Sequence, residues 1–305
     1  MLRLLNISYK RKTERGDYNF LKPFSLDIKN KNAMTIHSNK TKLLLGITIL
    51  FFCSFITSDN YIKPLSAPTQ PSAEKANFSS CKIKNTTFKT GEELTFKAYY
   101  NWNFVWMSAG EAVAKVSDYK KDKYNIVIKG KTYSSYDWFY RVRDHFETTI
   151  DKKTLRPSTC MRYIEEGKFR LYDKVDFDFK EKKAISFRGK SKKKAGEKAF
   201  DVDGCMHDIV SMVYFFRNVD FAKLKKGEEM PMSIFMDRKA WNLKLRYEGK
   251  KIVTVKGKGK HLAYKISTRV SAGELFDENS SVTIWVSDDK NKVPLQVKLE
   301  LSIGS

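Results

Sequence analysis

The densest charged cluster in this chain is "YDWFYRVRDHFETTID", residues 136–151. Asp137, Arg141, Arg143, Asp144 and Asp151 surround Trp138 and Phe139 there. Carboxylates beside aromatic rings suit glycosidic-bond hydrolysis, provided that two of them face each other about 5–10 Å apart across a cleft. Asp137, Asp144 and, further upstream, Glu111 are the candidates for that chemistry. Arg143 and Asp144 are adjacent, so in a strand they point to opposite faces and cannot pair with each other. One of them must face inward and needs a partner, either in a structural ion pair or turn cap, or as a polar anchor for a bound ligand.

A second stretch, "GEELTFKAYYNWNFVWMSAGEA" (residues 91–112), holds six aromatic residues between two Gly-Glu pairs. Read as one extended segment, a period of two puts Trp102, Phe104 and Trp106 on one face and Asn101, Asn103 and Val105 on the other. Such a row is either core or the lining of a barrel mouth that takes an apolar or sugar ligand. The candidate ligand-binding set is therefore Trp102, Phe104, Trp106, Trp138, Arg143 and Asp144. Glu92 and Glu111 follow glycines where strands start, and read as punctuation around turns rather than as an acid and a base.

Other catalytic patterns are missing from the sequence. There is no GxSxG, HExxH, P-loop or CxxC. "GKGKHL" at Gly257 begins like a glycine-rich loop but lacks the third glycine and a following helix. Cys205 and His207 make a C-x-H pair, too little for a zinc site without two further ligands. No catalytic residue, metal or cofactor is expected.

The elements that position these residues follow from periodicity. Beyond Cys81 the apolar period is two almost throughout, most clearly in "VPLQVKLEL", where Val293, Leu295, Val297, Leu299 and Leu301 alternate with polar residues. Further strands are expected at 94–100, 112–117, 124–129, 145–150, 174–179, 232–236, 243–247 and 263–270, with Asp288–Asn291 as a turn. Short strands without long βα alternation predict an all-β, mainly antiparallel sandwich or partly open barrel. One segment differs. "DIVSMVYFFRNVDFAKL" places Ile209, Met212, Val213, Phe216 and Val219 at helical spacing behind an Asp208 cap, which predicts one helix near 208–223 lying across a sheet. "GKSKKKAGEKAF" reads as a solvated loop or hairpin tip.

The N-terminal part points to export. "KTKLLLGITILFFCSFITS" spans Lys40–Ser58, with an apolar run of 14 residues from Leu43 to Ile56. That length is short for a membrane span and right for a signal-peptide core. Met34 just upstream is the natural start, so residues 1–33 read as an extension, 34–58 as the signal peptide and 59–80 as a flexible Pro/Ser-rich leader. An uncleaved anchor is the other reading of the same run. The folded domain is expected over 81–305, with no transmembrane span in the mature chain and a place in the periplasm or cell envelope.

The formal charge is +23, of which residues 1–58 carry +7 and the remainder +16. The lysines of the remainder are scattered between alternating apolar positions and no recognition motif accompanies them. They describe a solvated surface, and no specific nucleic-acid partner is expected. Removal of the leader takes Cys53 away and leaves Cys81, Cys160 and Cys205. Cys81 and Cys205 stand at element boundaries, where two Cα atoms can approach to the roughly 4.4–6.8 Å a disulfide requires. A Cys81–Cys205 bridge is expected, with Cys160 a free thiol inside a strand; three reduced, buried thiols are the alternative.

The order Gly91-Glu92, Asn101-Trp102, Ala109-Gly110, Tyr136-Asp137-Trp138, Val142-Arg143-Asp144, Asp151, Pro157 and Arg162 resembles the DUF3108 family of exported bacterial proteins, in its Bacteroidetes-type members. The match continues through Asp208, Ser211, Tyr214, Arg217, Trp285-Val286-Ser287-Asp288-Asp289 and Pro294, and covers about Cys81 to Ser305. The resemblance implies a secreted, mainly-β envelope domain with no established activity and no assigned catalytic residues. Members run on past the position of Gly304-Ser305, so a missing last strand and an open sheet edge are expected. Three functions follow in order: a non-enzymatic envelope protein binding an apolar or glycan ligand in an open barrel; a structural or assembly factor engaging an envelope protein partner; and a hydrolase of envelope polymers.

Overall fold

The computed structural model describes residues 2–6, 81, 83–102, 105–202, 204–269 and 281–300. The expected leader (34–58) and linker (59–80) lie outside these residues, as does Phe104. The first strand, β1, is Leu2–Asn6. Residues 93–201 then form eight consecutive antiparallel strands: β2 (Glu93–Trp102), β3 (Val105–Tyr119), β4 (Lys123–Thr132), β5 (Arg143–Asp151), β6 (Pro157–Glu166), β7 (Phe169–Asp178), β8 (Lys183–Gly189) and β9 (Gly196–Asp201). A second sheet contains β10 (Met206–His207), β11 (Glu229–Met236), β12 (Lys239–Val255), β13 (Gly259–Arg269), β14 (Ser281–Ser287) and β15 (Pro294–Glu300). Its order is β1-β15-β14-β13-β12-β11-β10, antiparallel except for the short β10–β11 pair. Beside β15 lies β1, with Leu5 opposite Val297; cleavage near Ser58 would remove β1 and free that edge of β15.

Alternation makes each sheet two-faced. In β7, Leu171, Asp173, Val175 and Phe177 are buried while Tyr172, Lys174 and Asp176 are only partly so. Many inward residues of both sheets meet in a shared core. Val116, Ile126, Phe146, Ile150, Ile164 and Leu171 of the first sheet meet Met230, Met232, Leu245, Tyr247, Tyr264 and Ile266 of the second. The architecture is thus mainly antiparallel β in two sheets, as the period of two requires.

Among the described residues, two short helices interrupt the strands, α1 (Ser134–Asp137) and α2 (Ile209–Phe216). The helix expected to run to 223 stops at Phe216, and a separate 3₁₀ turn follows at Phe221–Lys223. The reason lies at its end: Asn218 Nδ2 donates to the Tyr214 carbonyl at 3.0 Å, while its Oδ1 accepts from the Thr86 N–H at 2.7 Å. That tether pulls the chain off the helical path. Nor does α2 lie across one sheet. Val210, Tyr214, Phe215 and Phe216 belong to the common core, so it plugs the space between the sheets. Its N-terminus is fixed by a capping box between Asp208 and Ser211, and Thr148 Oγ1 of β5 donates to Asp208 Oδ1 at 2.8 Å.

The lysine-rich stretch after Gly189 is a hairpin tip, with a 3₁₀ turn at Lys192–Lys194 before β9. The aromatic run is not one extended row. The chain turns between β2 and β3, with Trp102 opposite Val105 and Asn101 opposite Trp106. Cross-strand partners share a face, so Trp102 and Trp106 occupy positions of opposite parity. Their side chains lie outside the described residues.

Candidate functional site

The first half of the cluster, residues 136–143, lies at one end of the first sheet, while Asp151 lies at the other end of β5. β4 ends at Thr132, and the chain crosses α1 to re-enter the sheet as β5. Tyr133 N–H donates to the Ala109 carbonyl of β3 at 3.1 Å, and Gly167 N–H to the Arg141 carbonyl at 2.8 Å. Gly167 has φ +54°, and a Cβ there would lie 2.8 Å from the Tyr140 ring, so the loop packs where only glycine fits.

Arg143 braces this crossing. Its guanidinium forks onto Asp137, with Nη1–Oδ1 at 3.0 Å and Nη2 on Oδ2. Thr132 Oγ1 adds a bond to Asp137 Oδ1 at 2.7 Å. The bonds from Arg143 and Thr132 hold the Asp137 carboxyl below the usual carboxylate range. Asp137 is therefore spoken for as a buckle. The braced loop presents Trp138 to solvent at 84 % exposure, edge-to-face on Phe139, which is 45 % exposed.

Asp144 faces the other way, as its adjacency to Arg143 demands. It is 3 % exposed, and its Oδ1 accepts the Glu165 N–H at 3.1 Å. Burial first, and then the neighbouring Glu166 carboxyl, push Asp144 up to about 9. Burial and mutual repulsion both disfavour two charges here, so the Asp144–Glu166 pair keeps a proton to higher pH than an exposed carboxyl does. Glu166 is the partner that sequence reasoning missed. Its only signal is parity, since Cys160, Arg162, Ile164 and Glu166 alternate inward along β6.

The other candidate carboxylates do not converge on a cleft. Glu111 pairs with Lys131 at 3.2 Å on the surface. Glu92 is buried and forks onto Arg217, with Oε1–Nη1 at 2.7 Å and Oε2–Nη2 at 2.9 Å, both side chains 1 % exposed. Arg217 also donates to the carbonyls of Thr87 and Asn291, so one guanidinium ties the end of α2 to β2 and the β14–β15 turn. A second internal network joins the sheets. Arg162 and Arg188 both contact Asp173 and Asp237, Asp237 belonging to the β11–β12 turn. Beside it lies a cavity of about 20 Å³, lined by Thr148, Cys160, Arg162, Asp173 and Asp208 among others. That is room for about one water. Among the described residues, Glu111, Lys131 and Arg143 lie in one cross-strand row, and Asp137 binds its Arg143 end, so Glu111 and Asp137 are each engaged by a cation.

Cys81 and Cys205 form a disulfide with Cα atoms 5.2 Å apart, and Cys160 is free and buried. His207 is fully buried against the bridge, Nε2 lying 3.5 Å from Cys205 Sγ and Nδ1 3.2 Å from Ser211 Oγ. Burial lowers His207 to about 3, so it is neutral. The two sulfurs and the imidazole have the spacing of a metal triad, with ligand atoms within 4.8 Å of one another. With both sulfurs in the bridge, the sulfur donors such a site needs are used up.

These features define a mainly antiparallel β protein whose described side chains from both sheets share a core, with Trp138 and Phe139 exposed on the loop before β5. The chain belongs to the DUF3108 family: the profile of that family, described as a protein of unknown function, matches residues 95–305. Among solved structures, the chain is similar to a β-barrel-like protein of domain of unknown function DUF1849 from Brucella abortus. The two share 10 % sequence identity and a TM-score of 0.41, over 63 % of this chain and 86 % of that one. No curated protein matches the chain.

Proposed function

We propose that this is an exported, non-enzymatic protein of the cell envelope, a structural or assembly factor that works through its outer surface. The observation that carries this reading is Trp138, a large aromatic side chain held in water by a braced loop instead of being folded into the core. Exposed apolar groups fixed at a rim favour contact with a partner. The described interior supports the same choice over an apolar or glycan ligand inside the barrel, because side chains from both sheets and α2 fill it. The leader pattern at 34–58 supports export, as does the disulfide, a bond that persists in oxidising compartments. A photo-crosslinking residue at position 138, installed in the producing cell, tests the reading. Crosslinks to envelope components are expected from a mature chain beginning after about Ser58. An intact Met1 start in the cytosol, or a position 138 that touches nothing, would overturn it.

A further inference from the structure

Resting on that reading, we infer that the rim is a docking surface for an anionic lipid bilayer. Two structures bracket the β2–β3 hairpin at this end. On one side, Ala109 of β3 holds the Tyr133 N–H and so anchors the loop carrying Trp138 and Phe139. On the other, the tip between β12 and β13 reaches across, with Lys256 Nζ 4.9 Å from the centre of the Tyr99 ring. Tyr99 pairs with Ser108, one residue from Ala109, so loop and tip flank the same step of the hairpin.

The second structure is a basic ribbon. Residues 250–270 contain seven Lys or Arg and no Asp or Glu. Gly257 and Gly259 take φ of +75° and +83° in the turn, which carries Lys256 and Lys258 at its apex and Lys260 just behind, opposite Thr254. Just behind it, Ile252 and Leu262 are opposite one another and stand 69 % and 49 % exposed. Among the described residues, four of the five large apolar side chains that are exposed thus belong to these two structures; the fifth, Tyr119, is at the far end of β3.

The chemistry favours lipid over protein. Aromatic rings with a polar edge settle at headgroup depth, and lysines near an anionic surface are attracted to its phosphates. Protein interface cores, by contrast, are depleted in Lys and hold their aromatics in packed, desolvated pockets. Here Trp138 and Phe139 stand exposed on one side of the β2–β3 hairpin, and the lysines of the β12–β13 tip stand on the other.

Vesicle flotation of the disulfide-bonded protein tests this, comparing vesicles of about 30 mol% phosphatidylglycerol in phosphatidylcholine with phosphatidylcholine alone. Binding is expected only to the anionic vesicles and should weaken as salt is raised. Trp138→Ala with Phe139→Ala should weaken it about tenfold or more, as should Lys256→Glu with Lys258→Glu and Lys260→Glu. Tyr119→Ala should bind like the parent. Circular dichroism confirms that each variant is folded. Equal binding to both vesicle types, no binding, or rim variants that bind like the parent would overturn the proposal. If vesicles fail while position 138 crosslinks to one envelope protein in cells, the lipid assignment falls and the surface reading stands. If both fail, both fall.

Discussion

Breaking the Glu92–Arg217 pair should cost more than any surface charge in this protein. Both side chains are 1 % exposed and meet through two hydrogen bonds, and Arg217 donates further to two backbone carbonyls. Arg217→Met keeps an apolar stem but leaves the Glu92 carboxylate buried without a counter-charge. Removing one member of a buried pair costs about 3–5 kcal/mol. With a urea slope of about 3 kcal/mol/M for a domain of this size, the midpoint should fall by about 1–1.7 M. Glu92→Gln should also be strongly destabilising, because the guanidinium cannot shed its charge. The double change, Glu92→Met with Arg217→Met, removes both charges and should recover most of either single loss. Equilibrium urea unfolding followed by circular dichroism measures all four proteins. Single losses under about 1 kcal/mol, or a double variant equal to their sum, would refute the idea that this pair joins α2 to the first sheet.

Three further outcomes follow from the same structure. Asp144 is raised in the folded protein, so its contribution is complete below its unfolded value of about 4 and is lost as pH rises through about 9. Asp144→Asn should flatten that decline, and identical pH–stability curves for variant and parent would contradict it. Non-reducing peptide mapping should return Cys81 linked to Cys205, and reduction should cost up to about 5 kcal/mol for a loop of this length; native alkylation of both cysteines would rule the bridge out. Gly110→Ala would place a Cβ 2.4 Å from the Lys131 carbonyl of β4, so a loss of about 1–3 kcal/mol is expected by thermal melting, and a neutral result would show that the strands can part there.

Much of the architecture is legible in the residues themselves. Period-two alternation announces strands because successive side chains leave a strand on opposite faces, and the Asp208 cap announces α2 because the first helical N–H groups need an acceptor. Adjacency alone separates Arg143 from Asp144. Other features depend on residues far apart in the chain, and local pattern has no access to them. Glu92 reads as a residue beside a turn until Arg217, 125 positions away, turns inward to meet it. Arg162 and Asp173 sit at inward parities that the alternation marks as apolar; they pair across β6 and β7, and Asp237 of the distant β11–β12 turn supplies the second carboxylate that balances Arg162 and Arg188. The aromatic run reads as one row in the sequence because two strands and the turn between them carry the same composition as a single strand. Period fixes which face a residue takes along one strand, but which strand lies opposite, and whether a charge finds its partner there, is decided by the packing of the two sheets.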